Sequence, residues 1–526
     1  MAGIRLSGLA SGIDTETMIK QLMQAERAPV DRLSQKKQTL TWQRDAYREM
    51  NRGLLDLRTA ASDMLLSKNY TAKTAASSDS SKVTVTAGST STTGSVTIDK
   101  ITNLASSSSL VLSRNASITN NITSDTKLNV SGLVAKDGLG KMELELNTYQ
   151  ADGTLGTAVI MNFDGTSTIG DLVSKINSDK SLGLSAVFND ITGKLVLTRQ
   201  NTGKLAASNE IIWMDKNQSV FDSTTEPVKK AVEGQNAVYS IGGTLLEQKT
   251  NTFTQNGLTI TLAGTSTTPV TLNTKLDTQA NFDSIKKFVD KYNEMIDKMN
   301  KKVREEKYRD FQPLTDAQRK DLSEDEVKKW EEKAISGVLK NDSYLRDGMA
   351  SFRSALSSEI DTGYSYTSGT ETSQLKYMSQ IGITSTSDFR DGGKLKIDET
   401  KLKKMLEEQP EGVYKLFTVD APPPVTNPDG TITKNPGGLD GFVRQIQGFA
   451  TTMRDKISKV AGLDGAVATT YRLGKSLADL DKSMLTWEDK LKTKEDSYYR
   501  RFAAMEKAMS QANSQSATLS NYLTQG

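Results

Sequence analysis

Apolar side chains recur at steps of three and four residues near both ends of the chain, a spacing typical of helices that bury one face. In the first stripe, the positions along the predicted contact face, or seam, are alternately apolar and polar. The apolar members are Leu33, Leu40, Tyr47, Leu54 and Ala61, and the polar members are Lys37, Arg44, Asn51 and Arg58. A helix with this half-polar seam needs partners with complementary polar groups. Because Pro29 disfavours a helical conformation at the residue before it, we predict a short first helix and a second one from about Pro29.

The second stripe runs to the end of the chain. Its members are Leu473, Leu477, Leu480, Met484, Trp487, Leu491, Lys494, Tyr498, Phe502, Met505, Met509, Ala512, Ser516, Leu519 and Leu523. Two successive steps of four around Tyr498 form a stutter, which locally unwinds a left-handed supercoil. One such stripe alone would favour an ordinary amphipathic helix on a globular core. Two long stripes at opposite ends favour a coiled coil between the termini.

Between these ends the sequence alternates with a period of two, which predicts strands. We predict that Val83 and Val85 pair with Val96 and Ile98 across a short loop. Residues 252–262 predict a hairpin that turns at an Asn-Gly pair. This part of the chain is therefore expected to be rich in antiparallel sheet.

A second β-rich stretch contains one helix. Met142, Leu144 and Leu146 alternate as in a strand, whereas residues 168–177 have helical spacing. The serine-rich residues 106–109 and the Asn/Thr-rich residues 115–126 are predicted to be loops.

A third region is helical. Apolar residues from Phe282 to Val303 step by three and four, and Asp398 is expected to cap a helix that stops before Pro410. The charged residues 301–334 indicate a solvated helical surface, and residues 421–436 indicate a Pro-rich loop.

The composition removes most enzymatic chemistry. The chain has neither Cys nor His, so thiolate nucleophiles, imidazole bases and the usual transition-metal ligands are missing. Glu143 and Glu145 could form the carboxylate pair of a glycosidase, but their alternation with apolar residues is more typical of a strand surface. We expect no catalysis, cofactor or bound metal.

The charge balance also limits the partners. Lys and Arg number 67 against 64 Asp and Glu, with no basic block, so we expect no nucleic-acid partner. The first 24 residues do not resemble a cleavable secretory signal, and we expect no membrane span. Export would need a route that uses no such signal.

Several segments, in order along the chain, resemble the bacterial flagellar filament-cap family. The first is Ile4 with residues 6–14 (LSGLASGID), followed by Glu26 and Pro29. Residues 163–203 are similar to the flagellar IN repeat, notably at Leu172, Ile176, Asn177, Ala186 and Gly193 to Leu197. Residues 393–417 are similar to the helical leg, and residues 501–519 are similar to the terminal helix. Residues 311–339 resemble the version found in Gram-positive, spore-forming relatives.

The resemblance and the patterns together imply an α+β, multidomain fold: a terminal α-helical coiled-coil leg, an inserted helical domain and β-rich head domains. The expected parts are residues 1–45 with 478–526 for the terminal coiled-coil region, 46–72 with 278–477 for the helical leg domain, 73–105 with 236–277 for a β-rich head, and 106–235 for an outer β-rich head with the IN-type repeat.

The resemblance implies a structural cap at the distal end of the flagellar filament, which retains exported flagellin and promotes its folding and polymerisation. It further implies a homo-oligomeric ring, a pentamer by family likeness, with flagellin, a hook-filament junction protein and an export chaperone as partners. The expected location is extracellular, at the flagellum tip, after secretion through the flagellar export channel. We predict that contacts with other subunits or flagellin involve Ile4, Leu6, Leu9, Ile13, Leu33, Leu40, Tyr47, Leu491, Tyr498, Phe502, Met505 and Met509.

Two alternatives share the helix, β head, helix plan. One is another flagellar axial protein, either flagellin-like or from the hook-filament junction. The other is a surface adhesin with a coiled-coil stalk, and adhesion could also be a second role of the exposed head. The opening residues 6–14 and the leg segment 393–417 favour the cap over both.

Overall fold

The computed structural model describes residues 14–115, 118–128, 142–150, 152–205, 210–215, 221, 232–368, 370–421, 425–427, 432–433 and 439–524. The helices within these residues are α1 (Thr15–Glu26), α2 (Ala28–Asp63), α3 (Ile169–Ser178), α4 (Thr278–Arg304), α5 (Asp316–Lys320), α6 (Glu324–Ile335), α7 (Ser343–Leu356), α8 (Glu399–Glu408), α9 (Pro410–Thr418), α10 (Phe442–Ala461) and α11 (Arg472–Thr524).

The strands fall mainly between α2 and α4. They are β1 (Lys73–Ser77), β2 (Val83–Ala87), β3 (Gly94–Asn103), β4 (Ser107–Leu112), β5 (Met142–Thr148), β6 (Val159–Phe163), β7 (Leu184–Asn189), β8 (Lys194–Thr202), β9 (Ile211–Asp215), β10 (Ala237–Ile241), β11 (Thr244–Gln248), β12 (Thr252–Gln255), β13 (Leu258–Leu262), β14 (Val270–Leu276), β15 (Ser365–Ser368), β16 (Glu371–Gln374), β17 (Ile383–Ser385), β18 (Leu395–Ile397), β19 (Val425–Thr426) and β20 (Ile432–Thr433).

The chain folds into two compact units. Unit 1 combines Met1–Tyr70 with Gln279–Gly526 and is mostly helical, and unit 2 is Thr71–Thr278 and mostly sheet. This mixture of helical and sheet units confirms the α+β, multidomain prediction.

Unit 1 is organised around α4, whose apolar stripe is buried along its whole length as predicted. The buried members are Phe282, Ile285, Phe288, Val289, Tyr292, Met295, Ile296, Met299 and Val303. They belong to one continuous core that also takes side chains from α2, α7, α8, α9 and α10. Because each fully buried large apolar side chain contributes about 1.5–3 kcal/mol, this core is the main source of stability in the unit.

Local signals correctly predicted several helix ends in unit 1. The backbone passes from α1 to α2 at Arg27, and a proline occupies the first turn of α2. The Asp398 carboxylate accepts a hydrogen bond from the Lys401 amide at 3.0 Å and so caps α8, and α9 begins at Pro410. These features follow from the missing proline N–H and from capping of unpaired amides.

Unit 2 contains two hydrophobic cores. The first lobe comprises β1–β3 and β10–β14, in the sheets β1-β14-β3-β10-β11 and β12-β13-β2. The second lobe comprises β4–β9 with α3, and its sheets are β4-β8-β7 and β6-β5-β9. Leu144 and Leu146 point into the second core, as their alternation predicted, and α3 buries Ile169, Leu172 and Ile176 there.

The hairpin predicted over residues 252–262 is confirmed. Strands β12 and β13 pair from Thr252↔Thr261 to Gln255↔Leu258. Asn256 and Gly257 form its turn with φ angles of 51° and 76°. Both central residues need the left-handed conformation, which Asn and Gly adopt at least cost.

The predicted pairing of Val83 and Val85 with Val96 and Ile98 is wrong. Strand β2 pairs with β13, with Val85 opposite Ile260, whereas β3 pairs with β14, with Ile98 opposite Val270. The two segments thus enter different sheets and bury their side chains against strands that lie far away along the sequence, as from Val85 to Ile260 and from Ile98 to Val270. Nearness in sequence favours a hairpin, but burial on both sheets of the first lobe outweighs it.

Two predicted loops also contain strand. Residues 107–109 begin β4. Ser107 and Ser109 pair with β8, and Ser108 between them is completely buried. In the Pro-rich residues 421–436, Val425 and Thr426 pair with Thr433 and Ile432. Serine and proline content indicated turns, but backbone pairing to neighbouring segments decides the conformation at both places.

Candidate assembly interface

The apolar stripes of α2 and α11 are the candidate assembly interface. Ile4, Leu6, Leu9 and Ile13 lie outside the described residues. Leu33 and Leu40 on α2 are half-buried and Tyr47 is buried, while on α11 Leu491 is buried, Tyr498, Phe502 and Met509 are half-buried and Met505 is exposed. The predicted contact residues therefore divide between the interior of unit 1 and its surface.

The C-terminal half of α2 is an internal helix. Its buried residues are Ala46, Tyr47, Met50, Asn51, Leu54, Leu57 and Ala61. This half packs mainly against α10, a helix that was not predicted. The apolar side of the predicted seam is thus covered by another segment of the same chain.

The polar seam position Asn51 is buried at this contact. Its amide nitrogen donates to the Ser458 hydroxyl at 2.9 Å, and its carbonyl oxygen accepts from Nε of Arg454 at 3.1 Å. Burial, together with the positive charge of Arg58, lowers the pKa of Arg454. Asn51 therefore supplies complementary polar contacts inside a largely apolar seam, as the half-polar pattern indicated.

Tyr47 is fixed in the interior of unit 1. Its hydroxyl donates to the Asp342 carboxylate, which also accepts a hydrogen bond from the Leu345 amide and caps α7. Burial, followed by this hydrogen bond and its charge, raises the pKa of the Tyr47 phenol well above its usual range. A contact between Tyr47 and a second chain stays a prediction.

Arg48 ties α2 to the turn between α10 and α11. Its Nε donates to the carbonyl oxygen of Ala461 at 3.1 Å, and its guanidinium lies 5.5 Å from the centre of the Tyr471 ring. The next turn of α2 brings Arg52 to Asp464, with a nitrogen-to-oxygen distance of 2.9 Å. These contacts fix the start of α11 relative to α2.

Polar contacts link the N-terminal helices to the middle of α11. Lys37 on α2 forms a 2.5 Å ion pair with Asp481, and Glu26 at the end of α1 accepts from Lys494 and, at 3.1 Å, from the Tyr498 hydroxyl. Donation from Lys494 and then from Tyr498 lowers the pKa of the Glu26 carboxyl. We call this contact the Glu26 latch.

Beside the Glu26 latch lies an open groove of about 640 Å³ along α11, lined by Trp487, Leu491 and neighbouring polar residues. The Lys490 ammonium sits 4.8 Å from the centre of the Trp487 ring. This surface is shallow and mixed in character, unlike a closed pocket that would surround a small molecule.

Beyond Leu491 the apolar stripe of α11 changes its surroundings. The first part of the helix buries Leu473, Leu477, Leu480 and Leu491. In contrast, no residue from 492 to 521 is buried, and Met505 and Leu519 are 36% and 64% exposed. We call residues 498–519 the outer stripe of α11. It continues the helical apolar pattern. Tyr498, Phe502 and Met509 are half-buried and every residue from 510 to 521 is exposed, so the described part of this chain covers the stripe only in part.

The described residues show no other candidate chemistry. None of their helices is long and apolar enough to cross a membrane, and they hold no cluster of three or more acidic side chains placed to bind a metal. Glu143 and Glu145 lie on β5, the central strand of its sheet, where they alternate with buried leucines.

The fold defines an α+β, multidomain protein whose mostly helical unit is built from both ends of the chain and whose mostly sheet unit is built from its middle. Residues 234–514 match the model of the flagellar hook-associated protein 2 C-terminus, residues 11–108 match its N-terminus, and residues 143–201 match the flagellin hook IN motif. The chain is 33% identical over 544 aligned positions to flagellar hook-associated protein 2 of Halalkalibacterium halodurans, covering 99% of each chain. The chain belongs to the flagellar hook-associated protein 2 family, as the resemblance indicated.

More distant relatives agree with this assignment. Flagellar hook-associated protein 2 of Thermotoga maritima is 24% identical, with 99% of this chain and 96% of the relative aligned. The crystal structure of the flagellar cap protein FliD D1-D2-D3 domains from Escherichia coli has the same fold, with a TM-score of 0.54 and 20% identity over 83% of this chain and 99% of that chain.

Helix α10, and with it the partners of Asn51, was not predicted from the sequence. The signal was present, since Phe442, Val443, Ile446, Ala450, Met453, Ile457 and Val460 have helical spacing and are all buried. The polar partners Arg454 and Ser458 lie within that stretch. Reading the stripe of α10 together with that of α2 would have found the contact.

Proposed function

We propose that this chain is the structural cap at the distal end of the flagellar filament, where it retains exported flagellin and promotes its folding and polymerisation. The observation that carries the proposal is the outer stripe of α11 in a chain of the hook-associated protein 2 family. An apolar helix face that the described part of its own chain covers only in part gains stability when a second chain covers the rest. In the cap, the covering chain would be a further subunit or flagellin.

The proposal assigns the contact residues by their surroundings. Phe502, Met505 and Met509 on the outer stripe meet the neighbouring chain, with Tyr498 at the start of the stripe. The half-buried Leu33 and Leu40 line the adjoining surface. The opening residues Ile4, Leu6, Leu9 and Ile13 complete it. The Glu26 latch positions α1 beside this surface.

The partners and location follow from the same proposal. Copies of the chain form a ring, pentameric by family likeness, that contacts flagellin and the hook-filament junction protein after escort by an export chaperone. The protein is secreted through the flagellar export channel and acts outside the cell at the flagellum tip. We propose no catalytic step.

We also propose that the chain divides into four parts. Residues 1–45 with 478–526 form the terminal coiled-coil region, and residues 46–72 with 278–477 form the helical leg domain. Residues 73–105 with 236–277 form one head domain, and residues 106–235 form the outer head domain. The separate cores of the two lobes of unit 2 support the division of the head.

Substitution of the outer stripe tests the proposal. We expect the triple variant Phe502→Ser, Met505→Ser and Met509→Ser to release flagellin into the medium as monomer and to leave cells without full-length filaments. The matched control replaces Ala503, Ala504 and Ala508, which are exposed on the same helix, by Ser. Electron microscopy of filaments and assay of secreted flagellin in cap-deficient cells give the readout. Filaments of normal length from the triple variant would contradict the proposal.

The same assay separates the rival functions. A flagellin-like or junction protein would be incorporated along or below the filament, whereas a cap promotes growth when added to filament ends. An adhesin would leave filament growth unchanged and alter only attachment of cells to surfaces.

A further inference from the structure

The edge of one sheet in the second lobe of unit 2 is closed by side-chain amides. Within the described residues, β7 is the last strand of the sheet β4-β8-β7, and no further strand pairs with its outer edge. An unpaired strand edge presents backbone N–H and C=O groups to which another chain can add.

Asn177, in the last turn of α3, occupies the middle of this edge. Its carbonyl oxygen accepts from the amide of Ala186 at 2.7 Å, and its amide nitrogen donates to the carbonyl oxygen of Ala186 at 2.9 Å. One side chain therefore satisfies both outward-facing backbone groups of Ala186, as a paired strand would.

Gln200 covers the neighbouring position. Its side-chain nitrogen donates to the carbonyl oxygen of Leu184 at 3.2 Å, while its own backbone amide bonds to Gly183 at 2.8 Å. In an edge strand, the backbone N–H and C=O groups of every second residue point away from the paired strand. The backbone groups of Leu184 and Ala186 therefore point in the same direction, although both side chains are buried in the core. The carbonyl oxygen of Leu184 thus also has a side-chain partner, supplied by Gln200 on the neighbouring strand β8.

The strand itself lacks the usual protection against edge pairing. Residues 184–189 (LSAVFN) contain no charged residue and no proline. Val187 is 60% exposed on the outer face of the sheet, where it lies opposite Val196, and Val196 lies opposite the exposed Val111. An uncharged strand beside an exposed aliphatic row would be a favourable site for a further strand.

We propose that Asn177, assisted by Gln200, prevents β7 from pairing with the β7 strand of a second copy of this chain. The side-chain amides replace that strand and leave no backbone group of Ala186 available to it. This role concerns the second lobe alone and does not depend on the proposed function of the terminal helices.

Sedimentation of the full chain tests the proposal. We expect Asn177→Ala to strengthen association between copies by about tenfold relative to the unsubstituted chain, equivalent to about 1.4 kcal/mol. Adding Val187→Lys places a charge on the edge strand, so the double variant should sediment like the unsubstituted chain without regaining the two lost hydrogen bonds. Val187→Lys alone is the control and should leave association unchanged.

Two results would overturn the proposal. If Asn177→Ala sediments like the unsubstituted chain, α3 alone covers the edge. If its added association persists in the presence of Val187→Lys, Asn177 serves only the stability of the lobe. Should Asn177→Ala fail to fold, Gln200→Ala with and without Val187→Lys repeats the test at an exposed side chain, and unchanged sedimentation of Gln200→Ala would then count against the edge role.

Discussion

The C-terminal half of α2 and the outer stripe of α11 have the same spacing of apolar residues, but the first is buried and the second is largely exposed. On α2, Leu54 and Ala61 are completely buried, whereas on α11 the equivalent positions Met505 and Leu519 are exposed. The difference comes from α10, which packs against α2, whereas α11 is only partly covered beyond Leu491 and every residue from 510 to 521 is exposed. Helical periodicity therefore predicts which face of a helix is apolar, and a second segment decides whether that face belongs to a core or to an interface.

Truncation of one leucine in each region should give the largest difference in the free energy of unfolding. We expect Leu54→Ala to reduce the free energy of unfolding of unit 1 by about 2–5 kcal/mol, because it opens a cavity in a packed core. Leu519→Ala should change it by no more than about 0.5 kcal/mol, as for other surface positions. Urea denaturation followed by far-ultraviolet circular dichroism measures both, and equal losses in the two variants would contradict the comparison.

The polar group in the buried seam should have the next largest effect. Asn51→Ala leaves the guanidinium of Arg454 and the hydroxyl of Ser458 without this partner, so we expect a loss of about 1–3 kcal/mol in the free energy of unfolding. Thr59→Ala, at an exposed position of the same helix, is the matched control. The same denaturation experiment gives the answer, and an Asn51→Ala variant as stable as the control would remove the structural role of the amide.

The Glu26 latch on α11 should open at low pH. Its partners lower the pKa of the folded carboxyl, so the latch is fully formed above the usual pKa of glutamate, near 4.5, and is lost as the pH falls through the lower folded value. The Lys20→Cys variant offers a single site for a spin label, because the chain has no cysteine of its own. The label should become more mobile as the pH falls below the usual pKa of glutamate. Glu26→Gln should remove the pH dependence, and a label whose mobility is constant with pH in the parent chain would refute the latch.

The ion pair between Lys37 and Asp481 should have the smallest effect. Both side chains are about half exposed, at 41% and 50%, so water and salt screen their attraction. We expect Lys37→Ala to reduce the free energy of unfolding by about 0–1 kcal/mol and the difference to vanish at high salt. Thermal denaturation at two salt concentrations measures this, and a larger, salt-independent loss would indicate a buried contact instead.

Features with a local cause could be predicted from the sequence. The break between α1 and α2 follows from Pro29, the cap of α8 from Asp398, and the hairpin turn from Asn256 and Gly257. In each case the residue type restricts the backbone or satisfies a nearby amide by itself. The family assignment rested likewise on short segments that are recognisable in isolation.

Features that depend on distant segments could not be predicted in the same way. Strand β2 pairs with β13 rather than with the nearby β3, and Ser108 is buried in a segment that reads as a loop. The candidate interface shows the same limit, since the stripe of α2 does not reveal that α10 covers it. Burial of a face is a property of two segments, and one segment's periodicity specifies only its own half.

The central claim is that another chain covers the outer stripe of α11 in the assembled filament cap. Replacing Met505 by the photocrosslinking residue p-benzoylphenylalanine, in cells that grow filaments, tests it directly, with Lys507 on the exposed side of the same helix as the control position. The account predicts that irradiation joins position 505 to flagellin or to a second copy of this chain, with little product from position 507. No product from position 505, or equal yields from both positions, would contradict it.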